Sequence, residues 1–146
     1  MGYQTVTQAS LRSTIYNSIF TLLNTYKPTG WTVVSSFPEK DPVFPCYVVN
    51  PANITIKFQG MGKSIKITEA EILIEVFSKV ADRMSVLDTG IDKLHEIFTT
   101  YESTLRGYRI LLSDESPLTD SETSRVDFGG QELNTSAVAV ALQISL

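Results

Sequence analysis

The stretch Ala70-Glu71-Ile72-Leu73-Ile74-Glu75-Val76-Phe77 decides the fold, because it passes straight into a two-faced helical segment ending at Gly107, and Tyr108-Arg109-Ile110-Leu111-Leu112 follows at once. Ala70, Ile72, Ile74 and Val76 alternate with Glu69, Glu71, Leu73, Glu75 and Phe77. That period of two marks a strand with one core face and one face that is solvated or turned to a partner. The helical segment opens near Ala81 and Asp82. Its apolar residues Met84, Leu87, Ile91, Leu94, Phe98, Tyr101 and Leu105 recur at helical spacing, which predicts one continuous stripe lying on the sheet. Gly90 interrupts it at a cost of about 1 kcal/mol relative to alanine, and Gly107 is the expected stop.

Towards the N-terminus, Leu11, Ile15, Ile19, Leu22, Leu23 and Tyr26 share one face of a helix predicted over Gln8 to Tyr26, with Thr5 or Thr7 as its cap. Lys27-Pro28-Thr29-Gly30 ends that helix, and Trp31 to Ser35 reads as a strand. Pro38, Pro42 and Pro45 then make a stiff, extended connection. Cys46 to Val49 is a short strand. Ile54, Ile56 and Phe58 alternate with Thr55 and Lys57 as in a half-buried strand, and Gln59 to Ser64 is a turn. Towards the C-terminus, Ser113 to Thr135 reads as a long, acidic, polar loop, with room for a short strand at Arg125 to Phe128. The chain closes on Val138, Val140, Leu142, Ile144 and Leu146, alternating with Ala137, Ala139 and Ala141. Neither set is charged, so this strand is expected to be central or covered on both sides. The predicted fold class is α+β: one domain over 1–146, a mostly antiparallel sheet with two long helices packed on one face.

Composition supports a single globular domain: 146 residues, 42% hydrophobic and 19% charged. No run approaches the roughly 18 apolar residues of a membrane span, and no membrane partner is expected. Met1 to Thr7 lacks the blocks of a signal peptide, and Val6 breaks a myristoylation pattern. The single cysteine, Cys46, cannot form an internal disulfide, so folding rests on packing, which suits a reducing compartment. Between Ser113 and Thr135, Asp114, Glu115, Asp120, Glu122, Asp127 and Glu132 face Arg125 alone, a net −5 that leaves the rest of the chain at +1 of the total −4. Such a chain is a poor general binder of nucleic acid, which requires clustered lysine and arginine.

No motif carries catalysis. Gly62-Lys63-Ser64 invites comparison with a phosphate-binding loop, but the glycine that motif needs five positions earlier is Lys57. The turn also joins strand to strand, with no helix N-terminus to hold a phosphate. His95 is the only histidine, and nothing stands at zinc-ligand spacing from it. Cys46 reads as a small buried strand residue rather than a nucleophile, and Glu69, Glu71 and Glu75 as a solvated or interface face rather than a cation site or hydrolytic pair. No catalytic, metal or cofactor residue is therefore predicted, and the chain is not expected to be an enzyme. Lys57, Lys63 and Lys66 surround the glycine-rich tip, while Asp114, Glu115, Asp120, Glu122 and Asp127 lie in the acidic segment. Opposite charges on separate surfaces suit a head-to-tail contact between copies, and such contacts close into rings.

The order of elements, with Ile72-Leu73-Ile74-Glu75-Val76-Phe77-Ser78-Lys79 running directly into the helix and Pro42-Val43-Phe44-Pro45-Cys46-Tyr47-Val48 as a proline-flanked strand after the first helix, resembles the tail terminator (tail-completion) proteins of long-tailed bacteriophages. That resemblance implies a hexameric ring seated on the last ring of the tail tube, ending tail growth and presenting a surface to head-completion (neck) proteins. It also implies that no catalysis and no cofactor are involved, and that DNA passes through the ring without specific binding. The protein would reside in the virion, and in the host cytoplasm during assembly. Two alternatives stand beside it: a head–tail connector (stopper) protein, and a monomeric module that holds a ligand on its sheet.

Overall fold

The computed structural model describes residues 8–35, 43–60, 62, 65–113 and 117–144. Its elements are α1 (Gln8–Tyr26), β1 (Thr32–Val34), β2 (Cys46–Val49), β3 (Asn53–Gln59), β4 (Ile65–Lys79), α2 (Met84–Thr100), α3 (Glu102–Gly107), β5 (Ile110–Leu112), β6 (Leu118–Asp120), β7 (Ser124–Phe128) and β8 (Gln131–Ile144). The α+β class and the mostly antiparallel sheet hold. The suggested caps Thr5 and Thr7, most of the proline-rich connection and Leu146 lie outside the described residues.

Two long strands form the centre of the eight-stranded sheet. β4 and β8 run antiparallel in unbroken register from Thr68 opposite Ile144 to Lys79 opposite Leu133. The free border of β4 is taken by β2 near its C-terminal end and by β3 near its N-terminal end. β1 lies outside β2 and is parallel to it. The other border of β8 is taken in turn by β7, β6 and β5, all antiparallel to it.

The alternation read in the sequence sets the core. Ile72, Ile74, Val76, Val138, Val140 and Leu142 are buried in one cluster with Ile15, Ile19 and Leu23 of α1 and Leu87, Leu94, Ile97 and Phe98 of α2. Burial of each such side chain stabilises the fold by roughly 1.5–3 kcal/mol. In the middle of this core Trp31 stacks on Tyr47, with ring centroids 4.8 Å apart, and the Tyr47 hydroxyl donates to the Gly90 carbonyl at 2.7 Å. Gly90 therefore does more than interrupt a helix: a Cβ there would lie 2.2 Å from Trp31 Cη2, so only glycine lets α2 pass this close to the indole. A smaller cluster of Phe44, Cys46, Val48, Phe77 and Leu133 forms on the opposite strand faces, and it places Cys46 in the interior as the sequence suggests.

Two expectations need correction. The predicted helix over 81–107 is two helices. Tyr101 leaves helical geometry (φ −106°, ψ 24°), and its ring stacks on Tyr26 at the end of α1, centroids 3.6 Å apart. The apolar stripe nevertheless holds across the break: Leu87, Leu94, Phe98 and Leu105 are buried in the core with Ile91 and Tyr101 packed against it, and only Met84, at the start of α2, is exposed. The reading of 113–135 as a long loop is wrong, because β6, β7 and the start of β8 lie within it. β8 needs a partner along this border, and Ser113 N–H and Ser121 N–H also donate to Ala141 and Ala137. Border strands with one side in water need no hydrophobic alternation, which is why composition disguised them. Gly107 ends α3 as expected, and two residues on Arg109 takes up the left-handed conformation (φ 63°).

A non-glycine residue in that region costs roughly 1–2 kcal/mol, against about 0.5–1 kcal/mol of extra chain entropy for glycine. Arg109→Gly is therefore expected to raise stability by about 0.5–1 kcal/mol, read as a higher urea midpoint with an unchanged slope.

Candidate assembly interface

Two hairpins project from opposite ends of the β4–β8 ladder. At one end β3 and the first part of β4 pair from Asn53 opposite Glu71 to Gln59 opposite Ile65, beyond the last residue of β8 that β4 contacts. At the other end β7 and β8 pair up to Phe128 opposite Gln131, closed by Gly129 and Gly130, both with positive φ. The Gly130 N–H donates to Asp127 Oδ1 at 3.0 Å, which fixes that turn. At about 3.3 Å per residue, the β4–β8 ladder from which they project is itself on the order of 40 Å long.

The first hairpin carries apolar surface and lysine. Ile56 is 41% and Phe58 57% exposed. The alternation had placed both in a half-buried strand. β3 alternates correctly, but of these residues only Ile54 packs against the core, and sequence periodicity carries no signal for how far that cover extends. Lys57 is exposed and pairs with Glu69 across the hairpin at 3.0 Å. Both partners are about half exposed, so the pair contributes at most about 1 kcal/mol. Lys66 lies in β4 opposite Phe58, and Lys63 falls outside the described residues. Nearby, exposed Tyr108 and Arg109 stand just before β5, which pairs with the same end of β8. Neither belongs to an alternation or a charge cluster, so sequence reading does not single them out.

The acidic set is divided. Asp114 and Glu115 lie outside the described residues. Asp120, on β6, faces His95 of α2, with Oδ1 2.6 Å from Nε2, so the lone histidine ties this border strand to the helix. Glu122 is exposed in the turn between β6 and β7, and Asp127 is exposed on β7, next to Val126. Lys57 and Lys66 thus sit at one end of the sheet and Asp127 at the other, with Glu122 part-way along, near the level of the Val76–Ser136 pair. One copy cannot join them, whereas two copies can.

Of the carboxylates on β4, Glu75 is held in a local hydrogen-bond arrangement. Asn50 Nδ2 donates to Glu75 Oε1 and to the Leu73 carbonyl, both at 3.0 Å, pinning the reversal after β2. Asn53, Thr55, Glu69, Glu71 and Ser113 line a shallow polar hollow of about 210 Å³. Among the described residues no group of His, Cys, Asp and Glu side chains is placed to hold a metal ion, and no helix is long and apolar enough to cross a membrane. No family model and no curated protein matches the chain.

Proposed function

We propose that this chain is the structural subunit of a ring that caps a phage tail tube, ends its growth and offers the surface to which the head-completion (neck) proteins join. The observation that carries this is the pair of unlike hairpins at opposite ends of one stiff ladder, one with exposed Ile56 and Phe58 beside lysines, the other acidic. Unlike ends join head to tail, and head-to-tail contacts close into rings when the rotation per subunit allows. Both long helices are taken to pack on the Ile72 and Ile74 side, which leaves the Ala137–Ala141 side of the sheet for the tube or for neighbouring copies. Six copies per ring, passage of DNA through the pore without specific binding, and a place in the virion after assembly in the host cytoplasm follow from the tail-terminator resemblance. The role requires no catalytic group and no cofactor.

Light scattering on the purified protein, alone and with isolated tail tubes, tests the assembly. A ring-sized mass, or one formed when tubes are added, is the expected result. A strict monomer that ignores tubes counts against the proposal. Electron microscopy of particles produced without this protein tests the role: overlong, headless tails are expected, whereas normal tails beside leaking heads would identify a connector. Replacing Lys63 and Lys66 with Glu is expected to weaken association more at low salt than at high salt, because exposed charges are screened beyond about 10 Å at 0.1 M.

A further inference from the structure

The central ladder joins two strands whose alternation does not fix how far along each other they lie. β4 and β8 are separated in the chain by two helices and three strands, so no hairpin turn sets their register. On the core side Ile74 faces Val138, Ile72 faces Val140 and Ala70 faces Leu142, while Val76 faces Ser136 and Thr68 faces Ile144. A shift of β8 by two residues keeps every side chain on its own side of the sheet. Val138 would then face Val76, Val140 Ile74, Leu142 Ile72 and Ile144 Ala70, four apolar pairs where the observed register has three. The opposite side does not resist: Ala139 would replace Ala137 opposite Glu75, and Ala141 would replace Ala139 opposite Leu73. β6 and β7 pair with β8 and would travel with it. The tie from β6 to α2, between Asp120 and His95, is partly exposed and holds weakly.

One cross-strand pair does discriminate. Ser78 and Asn134 face each other near the end of the core side, 0% and 3% exposed. Neither Ser78 Oγ nor Asn134 Oδ1 has a hydrogen-bond partner among the described residues, so both are held in the interior at a cost. We infer that Ser78 and Asn134 form a register pin, which gives up stability to hold β8 in one alignment on β4. Asn134 meets a polar partner only in the observed register. After the shift described above it would lie opposite Val80, and after the reverse shift opposite Val76, each time an amide set against an aliphatic side chain. Ser78 would meet Ser136, whose hydroxyl is already donated to the Ser121 carbonyl. Buried polar groups set alignment in this way elsewhere, at a cost in stability. The inference stands apart from the ring proposal, but it bears on any assembly. A two-residue shift would carry the β7–β8 hairpin about 7 Å along β4 and change the span between the two projecting hairpins.

Nuclear magnetic resonance on the isotopically labelled full chain tests this through backbone proton contacts between β4 and β8. In the unmodified chain only the contacts of the observed register are expected. The double variant Ser78→Ala, Asn134→Val is expected to fold with a thermal midpoint no lower than that of the unmodified chain, because both unbonded atoms leave together. It is also expected to show a second set of resonances with the contacts of the shifted register, such as Ile74 to Val140. The shifted form should rise about tenfold or more, to on the order of 10% of molecules. Asn134→Ser, which keeps a polar group opposite Ser78, is expected to hold the observed register alone. A double variant that keeps only the observed contacts overturns the inference, as do shifted contacts in the unmodified chain. Loss of the fold in the double variant overturns it as well, since the pair would then serve stability rather than alignment.

Discussion

Gly90→Ala is expected to cost about 3 kcal/mol or more, although alanine is the better helix former by about 1 kcal/mol. The added Cβ would stand 2.2 Å from Trp31 Cη2 and 2.8 Å from two further ring carbons. The indole has nowhere to retreat: Trp31 is 6% exposed within the main core, and it stacks on Tyr47, itself fully buried. Relief requires α2 to move away, which also lengthens the hydrogen bond from Tyr47 to the Gly90 carbonyl. Thermal unfolding of the variant should fall by on the order of 10 °C. Gly107→Ala is the control. It lies in α3 with nothing near its would-be Cβ, and it should be neutral or stabilising by up to about 1 kcal/mol. Trp31→Phe, which removes the clashing part of the ring, should restore part of the loss in Gly90→Ala. Strictly additive losses in the double variant would show that the clash is not the cause.

Alkali should unfold the protein through Tyr47. Its phenol is fully buried in the core, and desolvation there holds its pKa well above the ordinary value near 10. The folded-state pKa is the raised one, so the contribution is complete below the unfolded value, near pH 10, and is lost as pH rises towards the folded value. Over that window the unfolded chain binds fewer protons than the native one, and stability falls by about 1.4 kcal/mol per pH unit for this group. Urea unfolding should therefore lose about 2–3 kcal/mol between pH 10 and pH 12 on account of Tyr47. Tyr47→Phe should be less stable at pH 7 by about 1 kcal/mol, since a buried hydrogen bond is removed, and should show a flatter alkaline limb. The difference between the two curves cancels the remaining tyrosines. Parallel curves would mean that the hydroxyl titrates as if it were in water.

What the sequence disclosed, it disclosed through periodicity. The apolar face of α1 and the core sides of β4 and β8 follow from periodicity, while the end of α1 and the start of β2 are set by the prolines beside them. Periodicity failed where burial is one-sided or absent. β6 and β7 carry polar residues on a solvent border, so nothing in Ser113–Phe128 alternates strongly enough to stand out beyond the room for a short strand at Arg125–Phe128. Ile56 and Phe58 obey the strand period and still lie in water, because the pattern fixes which side a residue takes and not whether anything covers that side. The break at Tyr101 and the close approach at Gly90 are both settled by aromatic rings from distant parts of the chain, Tyr26 and Trp31. As for the interface, the charged residues were visible in sequence, but their separation to opposite tips depends on how the strands are laid against each other.

The ladder between those tips also has a mechanical consequence. A pull applied to the β3–β4 turn and the β7–β8 turn together would load β4 against β8 lengthwise, with Thr68 to Lys79 and Leu133 to Ile144 sharing the strain. In that geometry the cross-links resist in parallel rather than opening one by one like a zipper. A subunit gripped at both extremities would transmit tension along its own axis without first unravelling.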